Sequence, residues 1–487
     1  MHRRRNGHHY GDREPLAFSD ENRCRELKKA PCLVEARGLL EFPIAPSSIT
    51  TPQSPFQRKL EATTQSLATW SPTLSPKESR YTLTVSREPE PEEKHMPPTQ
   101  PTGVLDGVRI LELARWQAAP RGGMILRDMG AEVIKLEWSK SSDLRNAGPF
   151  VGEMSVQFAA YNRGKKSVTL NTRHPEGKEL FFRLLEVSDV VLENFRPGTM
   201  EKMGFSYEKM CEVNPGIILA SVSGFGQYGP YRDRQCFDPI IQAMSGIGHQ
   251  TGRGFDQPVM AEGPIMDRTA ALHATIGILG ALRHRDRTGE GQWLEVAMLD
   301  GGITLEEVAL AMCHDTGTND FTRAGSFIKC KDGYVSTGAA RAGMWERMLR
   351  VMGYDELSTD PEFAAPMFAT DKAEIRMELL HLWCEERPVK EVEESLVAAD
   401  IPVGPALSIP EVLADKHLWE REVMMEEELP EGKKILVPGP TIIKFSKTPT
   451  TAGPIPQYGE HNGEIYGEML GMDEAEMSRL VTEGVIT

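Results

Sequence analysis

An aspartate, Asp267, stands at the start of a long apolar stretch, GPIMDRTAALHATIGILGALRHRDRTGEGQ, which covers residues 263–292. Two interpretations fit this position. Aspartate is favoured as the N-cap of a helix, and the residues after Asp267 have helical apolar spacing. A carboxylate at a helix N-terminus is also kept ionised by the helix dipole, as a carboxylate nucleophile requires. The residues alone favour the cap and leave the nucleophile open.

Two basic clusters stand out in an acidic chain: NRGKKS, with Arg163, Lys165 and Lys166, and ENFRPGTMEKMG, with Arg196 and Lys202. Each lies at a strand end of the α/β pattern described below, where ligand crevices form. Lysines bind phosphate groups as point charges. Solvated surface lysines would give the same pattern, so a phosphate site and an ordinary surface remain equal alternatives for each cluster.

Residues 224–229, GFGQYG, match the GxGxxG fingerprint of dinucleotide-binding enzymes. In those enzymes the glycines open a helix whose N-terminus faces the pyrophosphate. Here Pro230 and a polar stretch follow, and the next helix is predicted to begin with Asp238 as N-cap and Pro239 as its first residue. The sequence therefore predicts a flexible loop over a cleft. A nicotinamide-dependent oxidoreductase remains a distant alternative.

The composition of the 487-residue chain is that of a globular protein, with 40% hydrophobic and 26% charged residues. Its net charge of −16 argues against a nucleic-acid or membrane partner, so an anionic ligand requires a local basic pocket. The seven scattered cysteines suit a reducing compartment and give no metal-site spacing. No membrane-length apolar run or secretory signal is present. A cytoplasmic protein is expected.

The elements that must position these residues follow from the apolar periodicity. Strands are predicted at 108–113, 132–136, 166–171, 189–195, 216–225 and near 293, and helices at 120–129, 175–188, 267–285 and 301–312. Strands that alternate with helices of this length predict a mostly parallel α/β sheet.

Four segments make up the predicted domain organisation. Residues 1–102 are rich in Pro, Ser, Thr and Glu and are predicted to be a disordered extension. Residues 103–324 form the first part of a large domain. Residues 325–413 form a smaller α+β domain that opens with a hairpin whose turn is Asp332 and Gly333. Residues 414–487 return to complete the large domain.

A series of segments resembles the class III CoA-transferases, the family of formyl-CoA transferase and carnitine CoA-transferase, from about residue 105 to residue 487. They include LDGVRILEL, GAEVIKLE, NRGKKSVTLN, DVVLENFRPGTMEKMGF, SGFGQYGPY, RTGEGQWLEVAMLD and GEHNGEIYGEMLG. In that family a catalytic aspartate precedes a helix that leads to a TGxGQ turn. Asp267, followed by TGEGQ at 288–292, occupies this position.

The resemblance implies covalent catalysis by Asp267. Its carboxylate attacks an acyl-CoA thioester to give a mixed anhydride, then an aspartyl-CoA thioester, from which CoA passes to a free carboxylic acid. The implied substrates are thus an acyl-CoA and a small carboxylic acid. No metal and no permanently bound cofactor are required.

The resemblance also implies which residues contact coenzyme A. Gln117, in the first strand-to-helix turn, is implied to donate a hydrogen bond to the developing oxyanion. Trp138 stands where some relatives have an arginine near the nucleotide, so its role is open and stacking is one candidate. The implied CoA contacts are Trp116, Ala118, Lys165, Asn194, Phe195, Lys202 and Met203.

The α-methylacyl-CoA racemases of the same family provide the alternative function. They place a histidine just before the aspartate of the FDPIIQ motif, where this chain has Phe237, and a glutamate in the segment corresponding to STGAARAGMW, which contains none. Without two bases, proton removal and return on opposite faces are hard to arrange, so the transferase is preferred. No glycine run follows Gly302, which disfavours oxalate as a substrate.

The resemblance further implies the architecture. The large domain would be Rossmann-like and built from both ends of the chain, with the smaller α+β domain inserted. Two such monomers would form an interlocked homodimer. The composition carries no information on either point.

Overall fold

The computed structural model describes residues 103–138, 144–255, 257–318, 327–339, 341, 343–366, 372–429 and 432–487. The predicted disordered extension, 1–102, lies outside the described residues, as does the predicted domain boundary at 324 and 325. The domain organisation therefore stays a prediction.

The strands in chain order are β1 (Arg109–Glu112), β2 (Glu132–Glu137), β3 (Phe150–Val151), β4 (Met154–Ser155), β5 (Lys166–Thr169), β6 (Val190–Glu193), β7 (Ile218–Ser223), β8 (Trp293–Ala297), β9 (Phe327–Lys329), β10 (Tyr334–Thr337), β11 (Val403–Pro405), β12 (Met424–Glu428) and β13 (Lys434–Pro438).

The α-helices are α1 (Ala118–Asp128), α2 (Val156–Asn162), α3 (Pro175–Glu186), α4 (Thr199–Met203), α5 (Tyr207–Val213), α6 (Asp238–Met244), α7 (Ile247–Thr251), α8 (Ile265–Thr288), α9 (Met298–Thr304), α10 (Glu307–Thr316), α11 (Met344–Val351), α12 (Asp355–Ser358), α13 (Pro361–Ala364), α14 (Ala373–Glu385), α15 (Val389–Ala398), α16 (Ile409–Ala414), α17 (Lys416–Glu420) and α18 (Glu474–Thr482). A 3₁₀ turn covers Leu144–Asn146, and a π-helix covers Gly463–Met469.

A six-stranded parallel sheet is the centre of the fold, with strand order β5-β2-β1-β6-β7-β8. Every residue of β6 and β7 is buried, which explains why these strands are mostly apolar and do not alternate with exposed polar residues. One hydrophobic core lies beneath α1 and α8, and another lies beneath α3 and the C-terminal helices. The predicted parallel α/β sheet is confirmed.

The helix predicted over 301–312 is wrong as a single element. The structure has two helices, α9 and α10, that meet at Leu305 and Glu306. The hydroxyl of Thr304 donates to the carbonyl oxygen of Gly301, 2.8 Å away. Such a side-chain bond competes with the helical hydrogen-bond ladder and weakens the helix at this point.

A second, antiparallel sheet has strand order β11-β10-β9 and its own hydrophobic core, which includes Trp345, Met348 and Leu380. The predicted hairpin is present, but its turn lies one residue earlier than predicted. Lys329 pairs with Tyr334 and the Cys330 amide donates to the Gly333 carbonyl oxygen, so Lys331 and Asp332 form the turn. This hydrophobic core is a cluster distinct from the two cores of the parallel sheet.

The C-terminal segment covers the outer edge of β5. The Thr169 amide donates to the side-chain oxygen of Asn462 at 2.9 Å, and the Ser167 amide donates to Nδ1 of His461 at 3.2 Å. The Tyr466 hydroxyl donates to the Thr169 carbonyl oxygen at 2.9 Å. Side chains from the end of the chain thus replace a seventh strand and protect an edge that would otherwise be open to pairing.

A buried ion pair joins Asp128, at the end of α1, to Arg163, the residue that follows α2. Two guanidinium nitrogens of Arg163 each lie 2.7 Å from an oxygen of Asp128, and both residues are almost completely buried. The Arg163 Nε also donates to the carbonyl oxygen of Pro438 at 2.6 Å. Arg163, from one of the two predicted basic clusters, is therefore structural.

We expect Arg163→Ala to lower the free energy of unfolding by about 3–5 kcal/mol, because it leaves the Asp128 carboxylate buried without a partner. Urea denaturation monitored by circular dichroism measures the loss. The control is Lys390→Ala, which removes the exposed pair with Glu394 and should cost about 0.5 kcal/mol or less. Equal losses in the two variants would contradict a structural role for the buried pair.

Candidate active site

The sheet has its topological switch point between β1 and β6, since the following strands extend to opposite sides of this pair. Ligands of open α/β sheets bind in the crevice at the carboxyl ends of such strands. The side chain of Asn194, directly after β6, bonds both the amide (2.8 Å) and the carbonyl oxygen (2.6 Å) of Arg115 after β1. Asn194 thereby fixes the turn between β1 and α1.

The turn is conformationally unusual at Trp116. This residue has a φ of 59°, in the left-handed region that non-glycine residues rarely adopt. Its indole is 45% exposed, so burial of the ring does not explain the conformation. Non-glycine residues in this region are concentrated at functional sites, where neighbouring contacts hold them in place.

A cavity of about 440 Å³ opens beside this turn. Of the predicted CoA contacts, Trp116, Phe195 and Met203 line it, together with Trp138. Further residues of the wall, from the segments that follow β2 and β5, were not among the predicted contacts: Leu144, Arg145, Phe158, Asn171, Thr172 and Arg173. Asn171 to Arg173 could have been found, because they follow β5 and parallel strands end at a common edge.

The remaining predicted CoA contacts lie outside the cavity wall. Ala118 is the buried first residue of α1, and Asn194 holds the turn as described above. Lys202 is exposed on α4, the short helix that contributes Met203 to the cavity. Contacts of these three residues with CoA stay predictions.

The structure does not support the predicted phosphate contact of Lys165. Its ammonium group is completely buried and donates to both oxygens of Glu112 (2.8 and 2.7 Å), to the Pro120 carbonyl oxygen (2.8 Å) and to Asn162 (3.0 Å). Burial, opposed by Glu112, lowers the pKa of Lys165 to about 7. Lys165 therefore has no exposed group to offer a phosphate, and the sequence position alone could not reveal its burial.

Asp267 is not an N-cap, contrary to the interpretation that the residues alone favoured. Helix α8 begins at Ile265 after Pro264, so Asp267 is its third residue. The capping acceptor comes from another helix: Oδ1 of Asp238 accepts the amides of Met266 (2.6 Å) and Asp267 (3.1 Å). Asp238 was itself predicted as the N-cap of α6, but Phe237 holds that position. Its carboxylate serves α8 because the two helices begin side by side.

The carboxyl group of Asp267 is half-buried, and its pKa is raised to about 7. Burial is the main cause, the Asp238 carboxylate adds to it, and Arg268 acts in the opposite direction. Burial therefore opposes the helix N-terminus, which was expected to keep this carboxylate ionised. The neighbouring Cys236 thiol has a pKa of about 11, raised by burial and by Asp267, so it stays protonated.

The first turns of α1 and α8 lie side by side at the carboxyl edge of the sheet. Helix α1 follows β1 and α8 precedes β8, so both run antiparallel to the strands and begin at the same edge. They are in close contact, since a Cβ at Gly122 would lie 3.1 Å from the Ala271 carbonyl oxygen. Gln117, immediately before α1, accepts the Tyr161 hydroxyl at 3.0 Å, which orients its amide. The two predicted catalytic residues thus belong to neighbouring helix starts.

The GFGQYG segment does not open a helix, as predicted. Gly226 and Gly229 have positive φ values, and the amide of Gln227 donates to the carboxylate of Glu295. The first described helix after it is α6, which begins at Asp238. The pyrophosphate site of a dinucleotide enzyme is therefore not formed by these glycines. Closure of this loop over the cleft stays a prediction.

Among the described residues, no cluster of three His, Cys, Asp or Glu side chains could hold a metal ion. No helix in the same part of the chain has both the length and the apolar character needed to cross a membrane.

Comparisons with known proteins agree with this architecture. The model of CoA-transferase family III matches residues 105–462. Formyl-CoA:oxalate CoA-transferase of Streptomyces avermitilis is 33% identical over 412 residues, which cover 79% of this chain and 100% of the relative. The succinyl-CoA–L-malate CoA-transferase β subunit of Chloroflexus aurantiacus is 32% identical over 403 residues, 80% of this chain and 99% of the relative.

Among solved structures, a CAIB/BAIF family protein from Brucella suis superposes with a TM-score of 0.66 at 30% identity, covering 75% of this chain and 99% of the other. The chain belongs to CoA-transferase family III, and it is an enzyme of this class.

We expect Asp267→Asn to raise the melting temperature, and the gain should grow from pH 5 to pH 8. The unfolded chain ionises this carboxyl above its usual pKa of 3.8, whereas the folded chain does so only near 7. The stability attached to the protonated form is therefore lost across this window as the pH rises. Thermal denaturation at several pH values measures the gain. Asp286→Asn, an exposed position on α8, is the control and should show no such pH dependence.

Proposed function

We propose that this enzyme transfers CoA from an acyl-CoA thioester to a small carboxylic acid, with Asp267 as a covalent nucleophile. The observation that carries the proposal is the place of Asp267 in the first turn of α8, where Asp238 holds its backbone amide. This turn lies beside the start of α1, whose preceding turn lines the cavity through Trp116. The names of the relatives pair acyl-CoA donors with carboxylic acids, which supports the same class of reaction.

The reaction proceeds by four acyl transfers at Asp267. A carboxylate oxygen of Asp267 attacks the donor thioester, the C–S bond breaks, and CoA leaves as a thiolate. The thiolate attacks the aspartyl carbonyl of the mixed anhydride and releases the donor acid. The acceptor carboxylate attacks the resulting aspartyl-CoA thioester, which expels the thiolate again. The thiolate attacks the acceptor carbonyl, forms the new acyl-CoA and regenerates the Asp267 carboxylate.

Gln117 and the helix N-termini would stabilise the oxyanions that develop in these steps. Each attack places negative charge on a carbonyl oxygen, and hydrogen-bond donors aimed at that oxygen stabilise the transition state. The amide of Gln117 is oriented by Tyr161. The first turn of α1 adds backbone N–H groups, whereas the first-turn amides of α8 already donate to Asp238, Gly263 and Pro264. Both helices contribute the positive ends of their dipoles.

The 440 Å³ cavity would hold the nucleotide part of CoA. Trp116 and Trp138 offer flat faces for stacking on adenine, and Arg145 and Arg173 supply positive charge for the phosphates. Two faces of Arg145 are already engaged, because its guanidinium pairs with Glu137 at 2.8 Å and covers the ring of Phe158. A phosphate would therefore contact only the edge of the Arg145 guanidinium, whereas the Arg173 side chain is exposed.

The racemase alternative requires two bases, and the groups around Asp267 do not supply the second one. The groups that influence the pKa of Asp267 are Asp238 and Arg268. Asp238 is committed to backbone amides of α8, and the Cys236 thiol is protonated at neutral pH. Phe237 points outward at the position of the racemase histidine, with 66% exposure. A single carboxylate suits nucleophilic catalysis better than two-base proton transfer.

An interlocked homodimer and a cytoplasmic location belong to the same proposal. Helix α10 has no buried residue although Val308 and Leu310 are apolar, and Leu272 and Ile276 expose a second apolar face on α8. Apolar faces of this kind are typical of surfaces covered by another copy of a chain. The cysteines of the described residues are all free thiols, which suits a reducing compartment.

Asp267→Asn and Asp267→Ala are expected to abolish CoA exchange, because the covalent intermediates cannot form. With wild type, incubation with acyl-CoA and hydroxylamine should convert the Asp267 side chain to a hydroxamate that peptide mass spectrometry locates. Both variants should still bind CoA. Asp286→Asn serves as the control and should keep full activity. Exchange at the wild-type rate in either Asp267 variant would refute the mechanism.

The pH profile of kcat/KM should fall below about pH 7, because only the ionised Asp267 is nucleophilic and its pKa is about 7. Asp238→Asn removes the like charge but keeps a side-chain oxygen for the two amides of α8. This variant should move the acidic limb to lower pH by on the order of 1 unit. A limb that stays at the wild-type pH would show that Asp238 does not control the ionisation of Asp267.

A further inference from the structure

Arg121 lies one helical turn after Gln117, on the same face of α1. The Arg121 amide donates to the Gln117 carbonyl oxygen at 3.0 Å, and side chains four residues apart on a helix are neighbours. Nη1 of Arg121 is buried, yet it has no hydrogen-bond partner among the described residues. A buried guanidinium nitrogen without a partner is costly and therefore uncommon in a native structure.

The charged groups around Arg121 do not neutralise its guanidinium. Its pKa is lowered first by burial and then by the positive charges of Arg268 and Arg163. Asp128 acts in the opposite direction, but both its oxygens accept hydrogen bonds from Arg163. In the part of the chain that the structure describes, no carboxylate forms an ion pair with Arg121.

Arg268 completes a positive site next to the nucleophile. It directly follows Asp267 and lowers the pKa of that carboxyl. The Arg268 side chain is exposed, and its amide donates to Pro264 within the first turn of α8. The positive charges of Arg121 and Arg268 thus repel each other near the starts of α1 and α8. Among the described residues, neither guanidinium forms a salt bridge with a carboxylate. An anion that enters from solution would remove both the mutual repulsion and the unpaired buried nitrogen.

We propose that Arg121 and Arg268 bind the second carboxylate of a dicarboxylic acid whose first carboxylate reacts at Asp267. This inference rests on the proposed CoA-transferase function. Arginine is suited to the role because its planar fork binds a carboxylate through two hydrogen bonds. Arg268 adjoins Asp267 in the chain, and α1 packs closely on α8 at Gly122 and Ala271, so the site fits a short-chain dicarboxylic acid better than a long one.

The site is distinct from the one assigned to CoA. The cavity is lined by residues after β1, β2, β5 and β6, and neither Arg121 nor Arg268 belongs to its wall. Arg121 and Arg268 lie instead where the starts of α1 and α8 meet. The acyl group of a donor and the acid that accepts CoA react at the same carboxyl of Asp267. The two arginines should therefore select succinyl over butyryl in the donor as well as succinate over butyrate in the acceptor.

Self-exchange tests this selectivity without knowledge of the natural substrates. The assay measures incorporation of ¹³C-succinate into succinyl-CoA and of ¹³C-butyrate into butyryl-CoA, two pairs with equal numbers of carbons. We expect wild type to exchange succinyl at least about 10-fold faster at low substrate. Arg121→Met should reduce succinyl exchange by about 10- to 100-fold, the effect of losing hydrogen bonds to a charged group, and should leave butyryl exchange unchanged. Arg268→Met should act in the same direction.

Three controls separate selectivity from general damage. Arg283→Met, an exposed position on α8, should leave both exchanges unchanged. Arg121→Lys should recover part of the succinyl exchange because it keeps the charge but not the planar fork. Arg121→Met should also raise the melting temperature of the unliganded protein, since it replaces an unpaired buried charge with an apolar chain of similar length.

Several outcomes would overturn the inference. Equal loss of succinyl and butyryl exchange in Arg121→Met would assign the arginine to the fold. Weaker binding of free CoA by this variant would assign it to a CoA phosphate. Loss of the oligomer in sedimentation would assign it to a contact with a second copy of the chain. If wild type gave neither exchange nor a hydroxamate at Asp267, the proposed function would fail. The site would then be judged by whether succinate raises the melting temperature of wild type but not of Arg121→Met.

Discussion

The buried carboxylate of Glu112 at the end of β1 is the constraint on which the active site depends. It accepts hydrogen bonds from the ammonium groups of Lys165 and Lys135, which are themselves buried. Lys135 donates further to the carbonyl oxygen of Ala114, and Lys165 to that of Pro120. The same network of charges therefore holds both ends of the turn that leads into α1, and its members are costly to separate because they are shielded from water.

The fold concentrates positive potential in a chain whose net charge is −16. Parallel strands bring the turns after β1, β2, β5 and β6 to one edge, and the helices α1 and α8 begin at that edge. Helix N-termini and a few arginines thus supply a local field for thioester, phosphate and carboxylate groups. The net negative charge of the chain disfavours anion binding wherever such a local group of positive charges is missing.

Periodicity was sufficient to predict the parallel sheet, because local apolar runs determine which segments are buried strands and which are helices. The resemblance identified Asp267 and Gln117 as candidate catalytic residues, because the motif around each of them is contiguous in the chain. Neither the periodicity nor the resemblance could predict contacts between residues that lie far apart in the sequence. Asp238 accepts the amide of Met266 in the first turn of α8, 28 residues later, and the burial of Lys165 depends on a carboxylate 53 residues away. Such contacts have no local pattern, because any exposed aspartate or lysine has the same sequence signature.

The covering of the β5 edge by late residues has a consequence for biosynthesis. Ser167 bonds with His461, 294 positions further along the chain. A ribosome adding about 5–20 residues per second needs roughly 15–60 s to cross that interval. During this time the edge strand exists without the side chains that will cover it, and neighbouring nascent chains on a polysome could pair with it. Co-translational chaperones that recognise exposed backbone would therefore be most valuable to this enzyme in the last minute of its synthesis.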